Sequence, residues 1–192
     1  MNPDLSAPAP LESSDYFPMI TVDDDLWPLD GIAQLISRQS LPEPYRYLLA
    51  HRHHMTVTLE DFYQKIVTVR VVDSMRKDNL YSREIVLNPK GEDRVILYGI
   101  VRIDLSCCLQ EVAAEIVAEK TPLGHILIKH NILRRVEPTG FYKVNPYKGL
   151  QNKMRLTQAE ELYGRSGVIF FDNRPVIAVL EILGPAHNSN NR

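Results

Sequence analysis

Three strand-like segments follow one another with only short loops between them: "KIVTVRVVDS" at 65–74, "LYSREIVLN" at 80–88 and "RVILYGIVRI" at 94–103. Each is rich in β-branched residues, and "NPKGED" turns the second into the third. Parallel neighbours need a crossover of about a dozen residues or more, so strands joined this tightly pair antiparallel. Further strand-like runs occupy 132–144, 162–171 and 175–183, with "DNRP" turning the last two. The count is about six strands.

Helical spacing appears in "LWPLDGIAQLISRQ", in "EPYRYLLAH" and in "MTVTLEDFYQ", the last begun at Thr56 or Thr58. "SCCLQEVAAEIVAEK" reads as one helix from Ser106 to near Lys120. A further helix starts in "KTPLGHILIKHNIL", with Thr121 as N-cap and Pro122 at the first helical position. Hairpins followed by helices, rather than strict strand-helix alternation, predict an α+β fold: an antiparallel sheet with four or five helices packed on it. Residues 1–18 hold Pro3, Pro8, Pro10 and Pro18 among Ser, Asp and Glu and read as a flexible leader; 19–185 form a single domain and 186–192 a frayed tail.

Two charges interrupt apolar strand faces. In "RPVIAVLEIL", side-chain alternation puts Glu181 on the face of Ile177, Val179 and Leu183. In "LYSREIVLN" the same rule puts Arg83 with Tyr81, Ile85 and Leu87. Either residue alone fits a side chain reaching water, the glutamate past a strand end and the arginine along an edge. Together, in one small domain, they suggest a polar pocket in an apolar interior, because a buried ion without a partner costs several kcal/mol.

Other chemistries find little support. Lys and Arg number 22 against 24 Asp and Glu, which gives no basic excess for nucleic acid or an anionic membrane surface. No apolar run reaches membrane-spanning length and no signal sequence precedes the domain, so a soluble, cytoplasmic protein is expected. The adjacent Cys107 and Cys108 cannot build a disulfide framework and read as reduced thiols. "HRHH" at 51–54 has no second Cys or His cluster to complete a metal site and reads as a solvated histidine run. There is no G-x-G-x-x-G, P-loop, G-x-S-x-G or H-E-x-x-H motif, so neither nucleotide nor metal cofactor is expected.

Taken as a set, "YSREIVL" at 81–87, "KTPLG" at 120–124, "YGRS" at 163–166 and the closing "RPVIAVLEILGP" resemble the chorismate lyase family (chorismate-pyruvate lyase, 4-hydroxybenzoate synthase). The motifs occur in that family's order and spacing from about Met55 to Pro185, and "HMTVTLEDF" is similar to its divergent branch. The resemblance implies a six-stranded antiparallel sheet with helical flaps over a buried site. It implies that Arg83 grips the ring carboxylate and Glu181 meets the ring hydroxyl, with backbone amides at Met55 and Leu123 completing the carboxylate's contacts. The implied reaction converts chorismate to 4-hydroxybenzoate and pyruvate without a cofactor, for quinone or phenolic lipid synthesis. For the second carboxylate of chorismate, Arg134, Arg135, Arg165 and the helix start at Pro122 to Gly124 stand as alternatives. The same fold also serves as a small-molecule sensing domain in some transcription regulators, so an aromatic-acid sensor is the alternative function.

Overall fold

The computed structural model describes residues 31–132 and 134–186. The leader expected over 1–18 and the tail beyond Ala186 lie outside the described residues. The strands are β1 (Ala33–Ile36), β2 (Val67–Lys77), β3 (Leu80–Pro89), β4 (Leu97–Asp104), β5 (Arg134–Val144), β6 (Leu162–Phe171) and β7 (Arg174–Leu183). They form one antiparallel sheet of seven strands in the order β1-β5-β6-β7-β4-β3-β2. The α+β expectation holds, with one strand more than the six counted.

The additional strand, β1, is a correction. Of the stretch read as the helix "LWPLDGIAQLISRQ", residues 26–30 lie outside the described residues, and the remainder leads instead into a four-residue edge strand, Ala33–Ile36, paired with Phe141 to Val144, and a 3-10 turn at Arg38–Ser40. Weak helical spacing yields there to the unpaired edge of β5, a tertiary contact that propensity does not contain.

The helices are α1 (Tyr45–Leu49), α2 (Met55–Tyr63), α3 (Gln110–Val117), α4 (Leu123–Lys129) and α5 (Lys148–Met154). Helix α2 begins at Met55 with His54 as N-cap, ahead of the expected Thr56 or Thr58. The single helix expected from Ser106 is broken. The Asp104 carboxylate accepts the Ser106 N–H and closes a 3-10 turn at Leu105–Cys107; the chain is extended at Leu109, and α3 starts at Gln110. Pro122 is the N-cap of α4 rather than its first helical residue. Helix α5 was not anticipated; only Leu150 and Met154, four residues apart, face the sheet.

The sheet is covered on both faces. On one, α1 and α2 bury Ile85, Leu87, Leu97 and Leu183, while α3 and α4 bury Tyr81, Val101, Ile103, Ile177 and Val179. On the other, α5 packs on Val86, Tyr98, Ile100 and Leu180. Each fully buried Leu or Ile contributes roughly 1.5–3 kcal/mol. The α1–α2 and α3–α4 clusters meet along a seam over the centre of the sheet, and the site lies there. Among the described residues no helix is long and apolar enough to cross a membrane.

Candidate functional site

Antiparallel register aligns odd-numbered residues of four strands on the face under the seam. One row runs Ile85, Gly99, Glu181, Arg165; the next runs Arg83, Val101, Val179, Gly167. The two charges singled out by strand alternation therefore share a face. They stand two strands and one row apart, about 12 Å at Cα from strand spacing and rise. Gly99, with no side chain between Ile85 and Glu181, leaves the floor open.

Above this floor is a cavity of about 50 Å³ walled by Met55 and Thr56 of α2, Pro122 to Gly124 at the start of α4, and His53 and His54. Its base includes Gly99, Val101, Val179, Arg165 and Glu181. Three of the four residues implied by the family resemblance, Met55, Leu123 and Glu181, thus line one cavity although far apart in sequence. Met55 and Leu123 are each the first residue of a helix, where the backbone N–H has no intrahelical acceptor. Arg83 does not line the cavity; it lies beyond Val101, its neighbour on β4.

The two ends of the site differ. Arg165 is 2% exposed and well partnered: Nε donates to Glu181 Oε2 at 2.6 Å, and Nη1 donates to the carbonyls of Leu49 at 3.0 Å and His51 at 2.9 Å. It ties the histidine segment down to the sheet. His51 and His54 are consequently half-buried, a correction to the solvated run expected from "HRHH". Burial first, then arginine (Arg165 for His51, Arg134 and Arg165 for His54), holds both imidazoles down at a pKa of about 4.

Among the described residues Arg83, 1% exposed, makes a long contact from Nη1 to the Ile116 carbonyl at 3.5 Å and lies beside the Tyr81 hydroxyl. Its Nε and Nη2 have no hydrogen-bond partner of good geometry among the described residues. Those two atoms form the edge of the guanidinium whose parallel N–H groups match the two oxygens of a carboxylate. Burial pushes the Arg83 pKa below its ordinary range, while Tyr81 and Glu119 act the other way. The Tyr81 hydroxyl donates to Glu119 Oε1 at 2.6 Å, which leaves its oxygen able to accept from the Arg83 guanidinium beside it.

The remaining arginine candidates separate clearly. Arg135 stacks on Phe170 and pairs with Glu137, away from the cavity. Arg134 sits outside the cavity, where Nε donates to His54 Nε2 and Nη1 donates to the Ile132 carbonyl at 2.6 Å. Sequence reasoning counted Arg165 only as one candidate for a substrate carboxylate and missed it as the partner of Glu181. It also missed the histidines as a wall.

No family model matches the chain, and no curated protein matches it. Solved structures of similar fold include the effector domain of PhnF from Mycobacterium smegmatis, 10% identical with a TM-score of 0.55, matching 69% of this chain and 89% of that one. The longer PhnF structure from the same organism matches at 10% identity and a TM-score of 0.52, over 68% of this chain and 63% of that one. At such identity the likeness is one of fold alone, an antiparallel α+β sheet with flanking helices.

Proposed function

We propose that the seam cavity binds an aromatic carboxylic acid and that the chain is a chorismate lyase, releasing 4-hydroxybenzoate and pyruvate. The observation that carries this reading is the buried, unoccupied Nε/Nη2 edge of Arg83 on the same sheet face as Glu181. A desolvated guanidinium left short of partners is costly, and a ligand carboxylate is the group that best fits its free edge. Arg83 then grips the carboxylate. The Glu181 carboxylate, oriented by Arg165, accepts from the hydroxyl, and the Met55 and Leu123 amides supply further donors.

Turnover on this scaffold is mainly orientation. The hydrogen on the hydroxyl-bearing ring carbon leaves, the bond from ring to ether oxygen breaks, the ring becomes aromatic, and the hydrogen ends on the methyl group of pyruvate. That balance needs no oxidant and no cofactor. The residues hold the ring and ether in a reactive conformer and shield it from water. A cavity of about 50 Å³ is closed around a few waters at most, whereas ligand sites run from roughly 300 Å³ upward. Admission of the acid, and its reach past Val101 to Arg83 outside the present walls, therefore require α2 and α4 to part.

The second reading is a non-catalytic sensing domain for a similar acid, favoured by the likeness to the PhnF effector domain. Incubating the protein with chorismate separates the two. Equimolar 4-hydroxybenzoate and pyruvate support the lyase. Calorimetric binding of 4-hydroxybenzoate without turnover supports the sensor, and neither binding nor turnover removes both.

A further inference from the structure

Outside the seam lies a second, much larger concavity of about 1230 Å³, between the α1–α2 segment and the chain from the end of α4 into β5. It shares His53, His54 and Val136 with the inner cavity, so the histidine segment is the partition between them. Four arginines line it against two acids. One arginine, Arg46, is paired with Glu43 at 2.9 Å, and the other acid, Asp61, accepts from the Tyr47 hydroxyl at 3.1 Å. Arg38, Arg52 and Arg134 have no carboxylate partner among the described residues. The exposed side chains of Tyr47, Val57 and Ile128 add apolar surface at its rim.

The contact that closes the partition is weak in kind. Arg134, a cation, donates to the neutral imidazole of His54, since Nε2 must be the acceptor there. His54 is the N-cap residue of α2, yet its side chain caps nothing, so the ring can swing without unravelling the helix. The bond to His54 has only the guanidinium charge behind it, whereas an ionised carboxylate adds ion-pair attraction and can take two of the guanidinium N–H groups at once. An arriving acid therefore displaces His54 from Arg134.

We propose that this basic groove is the capture site for a small aromatic carboxylate, and that binding to Arg134 releases His54 and opens the way into the inner cavity. The inference rests on the reading of that cavity as an aromatic-acid site. Arg38 and Arg52 supply the field that draws the anion in; Arg134 receives it; Tyr47 and Ile128 offer the ring a surface to rest on.

The test is stopped-flow association of 4-hydroxybenzoate with the full chain at low and at physiological salt. The double variant Arg38→Gln/Arg52→Gln should lower the association rate about three- to tenfold at low salt, leave the dissociation rate unchanged, and flatten the salt dependence. Arg134→Gln should slow association further. His54→Ala, which removes the partition's side chain, should speed both association and dissociation. A thermal melt of each variant confirms folding. If 4-hydroxybenzoate binds the wild type and the double variant associates within twofold of it at low salt, the groove is not the way in. If the wild type does not bind the acid at all, the cavity reading falls and this inference with it.

Discussion

Arg165 and Arg83 are both almost wholly buried on the same face of the same sheet, three strands and one row apart, and they are opposites. Arg165 has a carboxylate and two carbonyls; Arg83 has one long carbonyl contact and a free edge. An ion that the fold needs for itself is satisfied within the fold. On the proposed function, one that is desolvated and left open is held for a ligand, and the contrast then sets a structural arginine against a ligand-binding one.

The largest expected effect is at the satisfied end. Arg165→Ala should destabilise the protein by about 3–5 kcal/mol, because Glu181 is left as a buried charge without its partner and the 49–51 segment loses its tie to the sheet. Urea denaturation measures it; a change under about 1 kcal/mol would erase the distinction between the two arginines.

At the open end the sign should reverse. Arg83→Met fills similar volume and removes a desolvated charge, so the ligand-free protein should be as stable as wild type or more stable by about 1–4 kcal/mol. Marked loss of stability would mean that Arg83 is structural after all.

Glu181 sharpens the comparison through ligand choice. If Glu181 accepts from a ring hydroxyl, benzoate should bind more weakly than 4-hydroxybenzoate by about 1–3 kcal/mol. Paired calorimetric titrations with the two acids check this, and equal affinities would detach Glu181 from ligand recognition.

The smallest effect is a pH dependence at the Arg165 end. His51 takes up a proton near pH 4 in the folded protein but near its ordinary 6.5 when unfolded. Its stabilising contribution is therefore complete above pH 6.5 and is lost progressively as pH falls from 6.5 toward 4. Between pH 6.5 and 5, above the ordinary carboxylate range, the melting temperature should fall in the wild type and fall less steeply in His51→Asn. Parallel slopes would show that His51 is not held neutral by burial and Arg165.

Much of this arrangement is legible in the sequence. Period-two alternation alone puts Arg83 and Glu181 on apolar faces, and the short loops between strands give antiparallel pairing. The Arg165–Glu181 pair is less legible for a geometric reason. The turn at Asp172 and Asn173, both with positive φ, sets Phe171 opposite Arg174, and straight counting from there would place Arg165 opposite Leu180. A bulge between Ile169 and Phe170 shifts the register by one and brings Glu181 into place. The one local mark of that bulge is Pro175, which near the start of a central strand fits a bulge or a strand start equally well. The histidine wall is hidden for a related reason: what buries His51 is Arg165, more than a hundred positions away. Strand β1 is absent from the sequence reading because its cause is the open edge of β5.

The central claim, that the free edge of Arg83 is reserved for a ligand carboxylate, is tested most directly by calorimetric titration of 4-hydroxybenzoate into the wild type and into folded Arg83→Met. The account predicts saturable one-to-one binding in the inner cavity of the wild type and an affinity lower by about a hundredfold or more in the variant, the loss of two charge-assisted hydrogen bonds. Equal affinities in two equally folded proteins would contradict it.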